Sequence, residues 1–133
     1  MSRHGFLLGV VFASSTVGGS GMQIPNGHTR WTVPPAAGSK VNPLAGRVDL
    51  AAGGQKVFRQ RCASCHGEDA KGSLRAPDLT QRVVQEQSDG TLFWKISSGH
   101  TRLGMPSFSF LPEAQRWQLV LHLRSQAVAD ADR

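Results

Sequence analysis

The chain has 133 residues, which is enough for one small domain and an extension. Charged residues make up 18% and apolar residues 39%, a composition that is typical of a globular rather than a disordered protein. The formal net charge is +6, but the 15 basic residues are scattered and are not interleaved with aromatic residues, so the sequence does not indicate binding of nucleic acid.

Residues 1–21 have the pattern of an export signal. Arg3 gives a positive start, residues 5–13 form a short apolar run, and small residues extend to Gly21. The apolar run is far shorter than the roughly 20 residues that a membrane-spanning helix needs. We therefore expect a signal peptide and an exported protein.

Residues 22–47 form a second zone, rich in proline and glycine. Pro25, Pro34, Pro35 and Pro43 interrupt any continuous helix there. We expect an extended linker, or an arm that lies along the folded domain. Trp31 is the one large apolar residue in the zone, and we expect it to be partly packed.

The folded domain is predicted over residues 48–127, beginning with a helix near Val48 that Asp49 caps. This helix is expected to continue through the cysteines to Gly67. Gly53 and Gly54 weaken the helix and indicate that another backbone approaches closely at this point.

Two further helices follow, separated by loops. One is predicted to start at Ser88 or Asp89 and to stop at Gly99, after a loop over residues 72–82. The last is predicted to start at Pro112 and to run through residue 126. Residues 100–110 are expected to be irregular, and the polar tail of residues 128–133 is expected to fray.

The only two cysteines stand three residues apart in "CASCHG", as Cys62 and Cys65, and His66 follows directly. A redox disulfide usually has a βαβ context, which this chain lacks. Structural zinc needs four ligands, so His100 or His122 would have to complete the set. The third possibility is haem, since two thiols at a helix end can form thioethers with the porphyrin vinyl groups and the next histidine can bind the iron.

Met105 is the one methionine that follows this motif, and it lies in "GMPSF" between two helices. A methionine opposite a histidine is a ligand pair of electron-transfer haems, in which it raises the reduction potential. We expect Met105 to be the sixth iron ligand, with His100 as its rival. A purely packing role for Met105 would leave the sixth position open.

Residues from about Val48 to Ser125 resemble a bacterial class I c-type cytochrome in the order and spacing of "CASCHG", "APDL", "DGTLFWKISSG", "GMPSF" and "WQLVLHLRS". The resemblance implies a small all-α class I cytochrome c fold, with three to four helices packed around one covalently bound haem c. It also implies that the first helix packs onto the last through Gly54 and Phe58.

The resemblance further assigns single residues. Pro77 would accept a hydrogen bond from His66, and Leu79 would cover the haem. Met105 would be the distal ligand. His122 stands where the family usually has an aromatic residue, often tyrosine. Trp94 has two open interpretations, a hydrogen bond to a haem propionate or a place in the core.

The leading functional hypothesis is a monohaem cytochrome that carries single electrons in the periplasm and is not itself an enzyme. Its basic surface predicts acidic docking patches on redox partners of the dehydrogenase, oxidase or reaction-centre type. One alternative is a haem subunit bound to a membrane redox complex, at its periplasmic face, with residues 22–47 as a docking strap. Another is a haem enzyme or gas-binding protein with an open sixth iron position.

Overall fold

A computed structural model describes residues 31–127, so the predicted signal peptide and the polar tail lie outside the described residues. Within this range the chain has no β-strand, and the expected all-α fold is confirmed. The α-helices are Pro35–Gly38 (α1), Ala51–Arg61 (α2), Ala63–His66 (α3), Arg82–Gln85 (α4), Asp89–Ser98 (α5) and Glu113–Gln126 (α6). Two 3-10 turns are also present. Val48–Leu50 precedes α2, and Thr101–Leu103 lies before Met105 in the segment between α5 and α6, which we call the methionine loop.

The centre of the fold is the crossing of α2 and α6 at Gly54. A Cβ atom placed on Gly54 would lie 1.9 Å from the backbone oxygen of Gln118 in α6. The backbones therefore meet where the sequence predicted a close approach. At Gly53 the added Cβ would meet only the side-chain amide of Gln118, at 2.6 Å.

Aromatic side chains fill the core around this crossing. Phe93 of α5 stacks on Trp117 of α6, with ring centroids 3.8 Å apart and planes inclined by 18°. Phe58 of α2 lies against His122, with centroids 5.1 Å apart. His122 is buried, so its imidazole takes part in this aromatic packing.

Helix ends follow the sequence in some places and depart from it in others. The helix α5 begins at Asp89 as expected, and Ser88 caps it, because the Oγ of Ser88 accepts a hydrogen bond from the backbone N–H of Thr91 at 3.1 Å. The prediction that Asp49 caps a helix is wrong. The Asp49 carboxylate instead pairs with Arg47, two residues earlier, at 2.8 Å. Pro112 is not the first residue of α6 but stands just before it, in an extended conformation.

Residues 31–47 pack on the domain as an arm. Pro34 and Pro35 are compatible with the short α1 because they stand at its start, where proline lacks no needed hydrogen bond. Asn42 is buried, and its side chain donates to the backbone oxygen of Trp117 at 3.5 Å. The Oγ of Ser88 donates to the backbone oxygen of Gly38 at 2.6 Å. These contacts describe a packed segment, not a free linker.

In the described part of the chain, no helix is both long enough and apolar enough to cross a membrane.

Candidate haem site

Cys62, Cys65 and His66 are brought together by local helix geometry. Cys62 lies at the junction of α2 and α3, and its backbone oxygen accepts hydrogen bonds from the N–H groups of Cys65 at 3.1 Å and His66 at 2.9 Å. All three side chains are partly exposed. Gly67 ends α3 with a φ of +81°, as its position in the sequence predicted.

The imidazole of His66 is oriented by Pro77. Nδ1 of His66 lies 3.0 Å from the backbone oxygen of Pro77. A carbonyl oxygen only accepts, so Nδ1 carries the proton and Nε2 keeps its lone pair. Burial lowers the pKa of His66, although the hydrogen bond to Pro77 opposes the shift. The neutral ring that binds a metal is therefore favoured.

The loop that carries Pro77 is held against the motif by Gly72 and Ser73, two residues for which the sequence predicted no role. Gly72 has a φ of +83°, and a Cβ atom there would lie 2.6 Å from the nitrogen of Asp78 and 2.8 Å from the carbonyl carbon of Pro77. The Oγ of Ser73 donates to the backbone oxygen of Cys65 at 2.5 Å. The sequence feature that could have identified this support is Gly72, a glycine six residues after His66.

Met105 lies in a loop that is tied at its base. Its backbone forms an antiparallel bridge with His100, with the two N–H···O bonds at 2.8 and 3.1 Å. Gly104, which lies between His100 and Met105 in the sequence, adopts the left-handed conformation with a φ of +85°. The side chain of Met105 is partly buried and packs against the core. The loop, expected to be irregular, is therefore a closed turn.

Leu79 and Trp94 lie in different environments. Leu79 is partly buried against the core, and its N–H donates to the oxygen of Ala70 at 2.8 Å. Trp94 meets Trp31 of the arm edge to face, with centroids 6.2 Å apart. This contact favours a packing role for Trp94, and its hydrogen bond to a propionate stays a prediction.

The zinc and disulfide alternatives lack support within residues 31–127. This part of the chain contains no cluster of three or more His, Cys, Asp or Glu side chains that could hold a metal ion. His122 packs on Phe58 instead. Cys62 and Cys65 are free thiols. Burial, with a smaller effect of Cys65, raises the pKa of the Cys62 thiol to about 11.

Comparison with known proteins gives the family. The family described as cytochrome C oxidase, cbb3-type, subunit III matches residues 49–123. The chain belongs to this family. Its matched region is a c-type cytochrome domain, the class of haem domain that serves electron transport.

The chain is also similar to subunits of cbb3-type oxidases. The cbb3-type cytochrome c oxidase subunit CcoP of Rhodobacter capsulatus is 40% identical over 72 residues, which are 52% of this chain and 24% of that protein. Subunit FixP of Rhizobium etli is 55% identical over 54 residues, 38% of this chain and 19% of that protein. Subunit FixP of a Bradyrhizobium strain is 39% identical over 61 residues, 44% of this chain and 21% of that protein. The similarity thus spans about a fifth to a quarter of these relatives.

The donor set of this cytochrome domain fits haem c. Two thiols are free, one imidazole is turned so that Nε2 is available, and one thioether is partly buried on a braced loop. Soft sulfur and imidazole ligands suit haem iron. Cys62, Leu79 and Met105 are partly buried and pack against the apolar core.

Proposed function

We propose that the domain holds one haem c and passes single electrons as a haem subunit of a membrane oxidase complex, at its periplasmic face. Support for the complex comes from the relatives, which are named as subunits of cbb3-type oxidases. This favours the subunit hypothesis over the free periplasmic carrier. The observation that carries the haem assignment is the 3.0 Å contact of His66 Nδ1 with the oxygen of Pro77.

Each residue of the site has a separate task in this proposal. Cys62 and Cys65 would hold the haem through two thioether bonds, and His66 and Met105 would be the iron ligands. Haem supplies a one-electron couple when it is bound. Pro77 holds the imidazole in one orientation, and Leu79 excludes water from the haem face.

The chain favours electron transfer by keeping both axial ligands in place. The ring of His66 is held by its hydrogen bond to the backbone oxygen of Pro77, and the backbone of Met105 is held by its two hydrogen bonds to His100. A ligand that does not move when the charge changes requires little reorganisation. A closed sixth position also favours electron transfer over binding of gases or peroxide.

Basic residues near the motif provide a docking surface for an acidic partner. Lys71 and Arg75 are exposed and flank the loop in which Ser73 contacts Cys65. Lys95 does not contribute in the same way, because it is partly buried and its Nζ donates to Gln87 Oε1 at 2.8 Å. We propose that the partner presents carboxylates to the exposed loop.

The haem assignment is tested on the full chain, produced with periplasmic haem maturation. We expect haem to remain on the denatured polypeptide, a ferric sulfur–iron charge-transfer band, and no binding of carbon monoxide to the ferrous protein. Met105→Ala is expected to remove the band and admit carbon monoxide, whereas Met22→Ala is the matched control. Carbon monoxide binding by the wild-type protein would instead favour an open iron site.

The location of the protein in the cell is tested in its native host. We expect the chain to be recovered with detergent-solubilised membranes, and to co-purify with a cytochrome c oxidase. Recovery in the osmotic-shock fraction, free of that oxidase, would support the free periplasmic carrier.

A further inference from the structure

The arm reaches the methionine loop through a single aromatic side chain. Trp31 meets the imidazole of His100 edge to face, with ring centroids 4.8 Å apart and planes inclined by 89°. Trp31 also contacts Trp94, and the ammonium of Lys95 lies 5.3 Å from the centre of its ring. The indole is therefore held on three sides by α5 and the loop that follows it.

His100 links this contact to Met105. The two residues form a hydrogen-bonded antiparallel pair, in which each backbone N–H donates to the other's oxygen. Side chains of such a pair lie on the same face. A displacement of His100 therefore moves the backbone of Met105 directly.

The arm has its own anchors on the domain. Gly90 in α5 fits beneath α1, since an added Cβ would lie 2.3 Å from the oxygen of Ala37 and 2.7 Å from that of Lys40. Asn42 is buried with 2% of its surface exposed. Trp31 thus stands at the end of a segment that is fixed to α5 and α6, so it can act as a rigid support for the loop.

We infer that Trp31 is a positioning residue for Met105, acting through His100. The inference rests on the proposed function, since it requires Met105 to be the sixth ligand. With Trp31 in place the loop stays closed and the thioether stays on the iron. Without Trp31 the loop opens more often, and an external ligand reaches the iron more easily.

The test is competition between Met105 and added imidazole in the ferric holo-protein, read by loss of the sulfur–iron band. Trp31→Ala is expected to lower the apparent imidazole dissociation constant about three- to tenfold, the range of an aromatic edge-to-face contact. Trp31→Phe keeps an aromatic edge and is expected to recover most of the wild-type value. Val41→Ala, at an arm position that is 82% exposed, is the control and is expected to change nothing.

A second arm of the test asks whether the effect passes through His100. In a His100→Ala background, Trp31→Ala is expected to have no further effect on imidazole binding, because the linking side chain is gone. Circular dichroism in urea measures the global stability of each variant. Trp31→Leu replaces the alanine variant if the latter gives too little holo-protein.

The outcomes separate the inference from the function on which it rests. A wild-type protein without the sulfur–iron band overturns the proposed ligand and the inference together. A normal band with equal imidazole affinities in wild type and Trp31→Ala overturns the inference alone. The inference is also overturned if Trp31→Ala changes imidazole binding as much without His100 as with it. It is likewise overturned if Trp31→Ala changes only the global stability of the protein.

Discussion

The backbone of Gly54 in α2 lies directly against the carbonyl oxygen of Gln118 in α6. A Cβ atom on Gly54 would stand 1.9 Å from that oxygen, a distance that side chains do not adopt. We expect Gly54→Ala to lower the free energy of unfolding by about 3 kcal/mol or more, since two backbones must separate. Urea unfolding of the holo-protein measures the loss.

Gly53→Ala is the control for this prediction. Its new Cβ meets only the amide end of the Gln118 side chain, which can rotate away, and alanine favours the helix. We expect a change smaller than about 1 kcal/mol. Equal unfolding midpoints for the two variants would contradict the proposed role of Gly54.

Gly72 is predicted to hold Pro77 against His66. In Gly72→Ala the new Cβ would lie 2.8 Å from the carbonyl carbon of Pro77 and push it away. Gly104→Ala is matched to it, because that residue has a φ of +85° but nothing within 4 Å of the added Cβ. We expect the free energy of unfolding of Gly72→Ala to be about 2 kcal/mol lower than that of Gly104→Ala. We also expect the ring N–H of His66 to exchange its hydrogen faster in Gly72→Ala. Equal exchange rates in the two variants would show that Gly72 does not support this hydrogen bond.

Arg124 is predicted to connect α6 to the start of α5. It pairs with the Asp89 carboxylate at 2.8 Å and also donates to the backbone oxygens of Gln85 and Gln87. We expect Arg124→Ala to cost about 2–4 kcal/mol in unfolding free energy, because it strands partly buried acceptors.

The matched variant is Arg82→Ala, which breaks an exposed pair with Glu86 in which the Arg82 side chain is 89% exposed. Its expected cost is below about 1 kcal/mol. Urea unfolding ranks the two, and a larger loss for Arg82→Ala would refute the assignment.

The buried His122 is predicted to make stability depend on pH. Burial lowers its pKa in the folded protein, below its ordinary value of 6.5. As the pH falls through that ordinary value, the unfolded chain takes up a proton that the folded chain resists, so the free energy of unfolding decreases. The stabilising contribution is thus present above about pH 6.5 and is lost on acidification.

His122→Phe keeps a ring against Phe58 and removes this titration. We expect its unfolding midpoint to fall less than that of wild type between about pH 7 and pH 5. Contributions from His66 are common to both proteins. An unchanged pH dependence in His122→Phe would exclude His122 as its source.

Lys71 and Arg75 are predicted to create a positive potential at the proposed docking surface. The double change Lys71→Glu with Arg75→Glu is expected to slow oxidation by hexacyanoferrate(III), an anion, and to speed oxidation by tris(phenanthroline)cobalt(III), a cation. The effect is expected to fade near 1 M salt, where the Debye length is about 3 Å. A double control, Arg82→Glu with Arg47→Glu, changes the net charge equally at other exposed sites and is expected to have less effect. Equal effects of the two double changes on the oxidation rates would show that the potential comes from the whole surface and not from Lys71 and Arg75.

The haem motif and the helices around it were predictable because their signals are local. Cys62, Cys65 and His66 occupy one helical turn, so their spacing alone brings them together. Ser88 and Gly99 mark the ends of α5 through side-chain capping and a positive φ, which depend only on neighbouring residues. The Gly53–Gly54 pair predicted a close backbone contact but did not name Gln118 as the partner.

Asp49 shows where local reasoning failed. An aspartate before a helix is a good cap, but a nearby arginine competes for the carboxylate, and here Arg47 takes it. The sequence by itself determined the helical class, and its cysteine–histidine motif indicated a c-type cytochrome.

Only the tertiary structure decided which distant groups meet. Asn42 reaches the oxygen of Trp117, and Trp31 reaches His100. These contacts depend on how loops and the arm close over the helices. Loop closure is governed by the packing of the whole domain, which no short stretch of sequence specifies.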